Sequence, residues 1–118
     1  DGFHNPKLLQ YLRRKGRRFV LTAGLITSTC VLFTTASAMQ KGFLGAVVED
    51  CCADGPNAHQ HTLDWYKFIF ERTTVGLIAD HYPEWSAALE KLDDLKASGR
   101  VPRRKKRNRL SHLVGRHE

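Results

Sequence analysis

The sequence predicts an all-α protein: a basic N-terminal amphipathic arm, a single transmembrane helix, an extramembrane helical hairpin and a basic extended C-terminal tail. Three observations carry this prediction. Residues 19–39 hold no charged side chain, the basic charge of the 118-residue chain gathers at its two ends, and two apolar stripes at helical spacing flank a proline. The predicted order is arm 1–18, span 19–39, loop 40–61, hairpin 62–99 and tail 100–118.

The span rests on FVLTAGLITSTCVLFTTASAM, which lacks Pro, Asn, Gln and His as well as charge. As a helix it would rise about 32 Å, close to the thickness of a hydrocarbon core. Its Ser and Thr hydroxyls can bond preceding carbonyls within a helix, which lowers their cost in lipid. Gly24, Thr27, Ser28 and Thr35 fall on one helical face. Small and hydroxyl-bearing residues let helices approach closely in a membrane, so this face is expected to pack on another transmembrane helix. Cys30 is expected to sit in the membrane as packing. A buried helix of a soluble bundle and a leftover signal peptide are the competing readings.

Orientation follows from the flanks. Residues 1–18 carry a net +5, residues 19–99 a net −5 and residues 100–118 a net +7, within an overall +7. The positive-inside rule places the N-terminus on the cytoplasmic or matrix side. The chain begins at Asp1 and its one methionine is Met39, which reads as a processed or trimmed precursor. A cleaved organellar presequence agrees with the charge bias. The expected location is the mitochondrial inner membrane, N-terminus in the matrix and C-terminus in the intermembrane space, with a thylakoid membrane as the alternative.

In the arm, Pro6 opens a helix, and Leu8, Leu9, Tyr11 and Leu12 line an apolar strip beside basic residues. Arg13, Arg14, Lys15, Arg17 and Arg18 are expected to meet lipid or phosphate, as are Arg103, Arg104, Lys105, Lys106 and Arg107 in the tail. The tail has no interleaved aromatic for base stacking, which disfavours nucleic acid as a partner.

The loop holds Cys51, Cys52, His59 and His61, four thiol or imidazole side chains of the kind zinc favours. Adjacent cysteines rarely both reach one ion, so these are minor metal candidates and no cofactor is expected. Asp54-Gly55-Pro56-Asn57 reads as a turn. Three cysteines exclude a disulfide-dense scaffold.

A helix from Thr62 or Asp64 to about Asp80, a break at Pro83 and a second helix closing at Gly99 make the hairpin. Its aromatic residues, Trp65, Tyr66, Phe70 and Trp85, are expected to form a partner interface. No motif ties the sequence to a known family, and none announces catalysis. The expected function is a non-catalytic accessory subunit of a respiratory-chain complex or ATP synthase, bound to other subunits and to anionic lipid such as cardiolipin. A basic nucleic-acid-associated (ribosomal accessory) protein is the second reading, and a small metal- or thiol-handling membrane protein the third.

Overall fold

The uncharged run does not form one helix. In the computed structural model, which describes residues 1–99, it divides into three pieces. Strand β1 is Phe19–Leu25, a π-helical turn is Thr27–Val31, and helix α2 is Leu32–Gln40. Ahead of them stand a short 3₁₀ turn, Gly2–His4, and helix α1, Pro6–Arg14. Beyond them come β2 (Leu44–Ala53), α3 (Ala58–Trp65), β3 (Glu71–Thr73) and α4 (Val75–Ala97). The protein is therefore mixed α/β, and the all-α membrane architecture is wrong.

The three strands form one sheet in the order β1-β2-β3, with both pairings parallel. Parallel neighbours need a crossover between them. The turn and α2 supply one, and α3 supplies the other. Phe19 pairs with Leu44 and Thr22 with Val47, then the register shifts before Gly24 meets Cys52 and Leu25 meets Ala53. Gly24 takes φ 122°, a conformation that L side chains rarely adopt.

The misreading of 19–39 has a physical cause. Parallel strands run beside crossover helices and read as unbroken apolar segments. A strand and the helix that covers it thus look alike to a hydropathy count. The hydroxyls that resembled a helix–helix seam are bonded inside the fold. Thr35 Oγ1 donates to the Val31 carbonyl at 2.7 Å and meets Thr22 Oγ1 at 2.5 Å, with both threonines buried. Gly24 lies on β1, Thr27 and Ser28 in the turn and Thr35 on α2, so they share no helical face. Among the described residues no helix is long and apolar enough to cross a membrane. The orientation and the inner-membrane or thylakoid location depended on the span and fall with it.

Two clusters make the core. Val31, Leu32, Val47, Leu63 and Phe70 form the larger, with Met39, Cys52, Tyr66 and Ile69 against it. Phe3, Ala38 and Phe43 form the smaller, joined by Leu9, Leu12 and Val20. Gly45 lets α2 pack tightly on the sheet: a Cβ there would stand 2.9 Å from Met39 Cγ. Arg72 on β3 ties the layers together, its Nε 2.6 Å from Glu49 on β2 and its Nη1 2.8 Å from Asp64 on α3.

The arm begins as its composition predicts. Asn5 caps α1 by accepting the Lys7 N–H at 3.0 Å, and Pro6 takes the first helical position. Arg13 donates to the Lys41 carbonyl at 3.3 Å, while Arg14 and Lys15 lie over the Tyr11 ring. Arg17 and Arg18 follow the helix. The predicted hairpin is absent. Its first helix is the short α3, followed by β3, and its second is the long α4, which continues through Pro83 instead of stopping there. Pro83 also marks the division of the chain into two units, Asp1–Tyr82 and Pro83–Glu118. In the second unit the described residues continue α4 to Ala97. The predicted tail, with Arg103, Arg104, Lys105, Lys106 and Arg107, lies outside the described residues.

Candidate active site

In open α/β sheets, ligands bind beyond the carboxyl ends of the strands. In this chain that edge is made by Gly24 and Leu25 of β1 and by Cys52 and Ala53 of β2, which face each other in register. The loops leaving it hold the polar groups. The Leu25–Ile26 peptide bond is cis. The π turn follows and leads directly into α2, so Cys30 is carried near the start of a continuous helical run.

The turn is tied down on both sides. The Ile26 carbonyl accepts the N–H groups of Thr29 at 3.2 Å and Val31 at 3.3 Å. Val31 and Leu32 anchor the far side in the larger core cluster. Thr27, only 1% exposed, places Oγ1 2.7 Å from Nδ1 of His59 on α3. Ser28 donates its N–H to Asp54 Oδ2 at 2.7 Å, across 26 residues of sequence. Between these fixed neighbours Cys30 is exposed, its sulfur in contact with the Thr29 hydroxyl at 3.9 Å.

The charge at this edge is shaped by the same bonds. The Ser28 side chain, the Ser28 and Gly55 N–H groups and, more weakly, His59 hold the Asp54 carboxyl below the ordinary carboxylate range. Burial pushes the Cys52 thiol up, opposed by a backbone hydrogen bond at Gly24 and reinforced by Cys51 and Asp50. Asn57, in the left-handed region at φ 65°, turns the chain from this loop into α3.

The structure distributes the predicted site residues differently. Cys51 is exposed on β2, Cys52 is half-buried beside the core, His59 is bonded to Thr27, and His61 is exposed on α3. Among the described residues no group of three or more His, Cys, Asp or Glu is placed to hold a metal ion. Of the expected partner-interface residues, Phe70 is 3% exposed and belongs to the core, and Tyr66 packs against it. Trp65 is 73% exposed, and Trp85 stands on α4.

Cys30 is the exposed thiol at this edge whose setting sequence reasoning missed. The usable signal was a change of pattern within the uncharged run. An eight-residue, mostly apolar stretch, residues 19–26, with glycine near its end gives way to Thr27-Ser28-Thr29 and then a cysteine. That is the order expected of strand, polar turn and helix start.

Residues 1–74 match the isochorismatase domain family. Solved structures with the same fold include an isochorismatase-like hydrolase from Alkaliphilus metalliredigens. It is 22% identical with TM-score 0.61, over 64% of this chain and 43% of that one. The nicotinamidase of Bacillus subtilis is 28% identical with TM-score 0.53, over 57% and 39%. An octameric hydrolase of unknown specificity from Escherichia coli is 19% identical with TM-score 0.57, over 80% and 57%. The chain spans less than two thirds of the length of each. No curated protein matches it.

These findings overturn the expected non-catalytic subunit of a respiratory complex or ATP synthase, together with its membrane-complex partners and cardiolipin. The nucleic-acid and metal-handling alternatives go with it. The domain match covers well over half of the sequence, and the parallel sheet agrees with it: the chain belongs to the isochorismatase family.

Proposed function

We propose that this chain carries the nucleophile of a hydrolase that cleaves a small carboxamide, and that Cys30 is that nucleophile. The observation that carries the reading is the placement of an exposed thiol at the carboxyl end of a parallel sheet, on the turn between β1 and α2. A sharp strand-to-helix turn is a recurring way to present a nucleophile, because it lifts one side chain clear of the backbone. The start of a helical run also favours negative charge developing beside it. The carboxamide class is taken from the nicotinamidase relative.

The reaction follows from thiol chemistry. Cys30 loses its proton to a base, and its sulfur attacks the amide carbon. The C–N bond breaks, and the nitrogen leaves as ammonia after taking up a proton. The acyl group remains on Cys30 as a thioester. Water then attacks the thioester carbon, the C–S bond breaks, and the carboxylic acid departs as the thiol is restored. No oxidant or reductant is consumed.

The test is ammonia release from nicotinamide by the 118-residue chain and by Cys30→Ala. The chain is expected to release ammonia, and the variant to lose on the order of a thousandfold in rate or more. Retained activity in Cys30→Ala overturns the assignment of the nucleophile. Absence of ammonia release from nicotinamide and other small carboxamides with the unaltered chain overturns the substrate class.

A further inference from the structure

We infer that Asp54 and His59 are positioning residues, which clamp the turn bearing Cys30 from the loop and helix that follow β2. The inference rests on the reading of Cys30 as nucleophile. Each clamp reaches a different residue of the turn. Asp54 Oδ2 accepts the Ser28 N–H at 2.7 Å, while Oδ1 accepts the Gly55 N–H at 2.7 Å and fixes the carboxylate within its own loop. His59 Nδ1 lies 2.7 Å from Thr27 Oγ1. Thr27 and Ser28 stand three and two residues before the thiol.

Two features make these bonds more than local decoration. They span 26 and 32 residues of sequence, so they join separate elements of the sheet edge. They also complement the anchorage on the far side, where Val31 and Leu32 are held in the core. The core fixes the turn just after Cys30, and the clamps fix it just before. An N–H bond to a carboxylate is charge-assisted and about twice as strong as a neutral one. A displacement of about 1 Å between reacting atoms is enough to cost a hundredfold in rate. The geometry therefore assigns Asp54 and His59 a role in aiming the sulfur through Ser28 and Thr27.

The experiment compares Asp54→Ala and His59→Ala with Asp54→Asn and His59→Asn. The asparagine variants retain a side-chain partner for the turn. The first readout is the ratio of Cys30 to Cys51 alkylation by iodoacetamide, resolved by peptide mass spectrometry. Cys51 is exposed on β2 and serves as an internal reference. The second is the split between kcat and KM for nicotinamide. The alanine variants are expected to change the ratio at least fivefold and to lower kcat at least tenfold with KM within twofold. The asparagine variants are expected to return both most of the way.

An unchanged ratio in alanine variants with wild-type circular dichroism overturns the inference. So does equal impairment in the asparagine variants. If the alanine variants do not fold, Thr27→Val against Thr27→Ser poses the same question: the serine variant must keep the wild-type ratio and the valine variant must lose it. Failure of the nucleophile reading is separate. It shows as retained ammonia release in Cys30→Ala, whatever the ratio does.

Discussion

The two ends of strand β2 differ in kind. Toward its start Gly45, Val47 and Val48 are buried, under the α2 residues Met39 and Thr35 that reach Gly45. Toward its end Asp50, Cys51 and Ala53 are exposed and Cys52 is half-buried. One continuous strand thus builds the core at one end and presents exposed carboxylate and thiol groups at the other. The division follows from parallel topology. Every crossover must return the chain over the sheet, which covers its middle, while the loops leaving the carboxyl ends collect polar side chains at one edge.

The contrast is broken most severely by Leu63→Ala. Leu63 is 1% exposed within the larger core cluster. Emptying that site is expected to cost about 2–5 kcal/mol in urea unfolding. Cys30→Ala, at the exposed edge, is expected to shift stability by less than about 0.5 kcal/mol while abolishing hydrolysis. If the two variants lose stability equally, the separation of roles is wrong.

A smaller effect is expected at Thr35. Its hydroxyl bonds Thr22 Oγ1 and the Val31 carbonyl in a buried setting. Thr35→Val keeps the shape and leaves a buried polar group without this partner, at a cost of about 1–3 kcal/mol by the same unfolding measurement. No loss would show that the Thr22–Thr35 pair contributes nothing net.

The smallest effect concerns pH. Because the Asp54 carboxyl is held below its ordinary range in the folded protein, the unfolded chain binds its proton at higher pH. Its contribution to stability is therefore full above the unfolded carboxyl value and disappears as pH falls through the lower folded value. Stability against pH is expected to flatten in that acid window in Asp54→Asn. An unaltered acid limb would show that the carboxylate is not held by the turn.

How much of this could be read in the sequence varies with the physics of each segment. The opening of α1 at Pro6 was legible, because capping and proline at the first turn are local effects. The Asp54–Asn57 turn was legible for the same reason, and it forms the loop into α3. Residues 19–39 were not, because charge and mean hydropathy report burial without reporting what does the burying. A strand, a polar turn and a covering helix together have the length of a membrane span. Gly24, Thr27 and Ser28 were counted as part of a small-residue face, when their clustering in mid-run marks the turn. Pro83 misled in the opposite direction. A proline costs about 3 kcal/mol in a helix interior, yet α4 continues through it. Cys30 was hidden by its assignment to lipid, and no local motif placed Asp54 and His59 against the turn that carries it. Their meeting depends on strand register, which a single sequence does not state.

The most direct test of the account is the order in which the three free thiols react with limiting iodoacetamide at neutral pH. Cys30 is expected first, Cys51 second and Cys52 last, because burial pushes the Cys52 thiol up and shields it. If Cys51 or Cys52 is labelled ahead of Cys30, the reactive centre does not lie at the turn between β1 and α2.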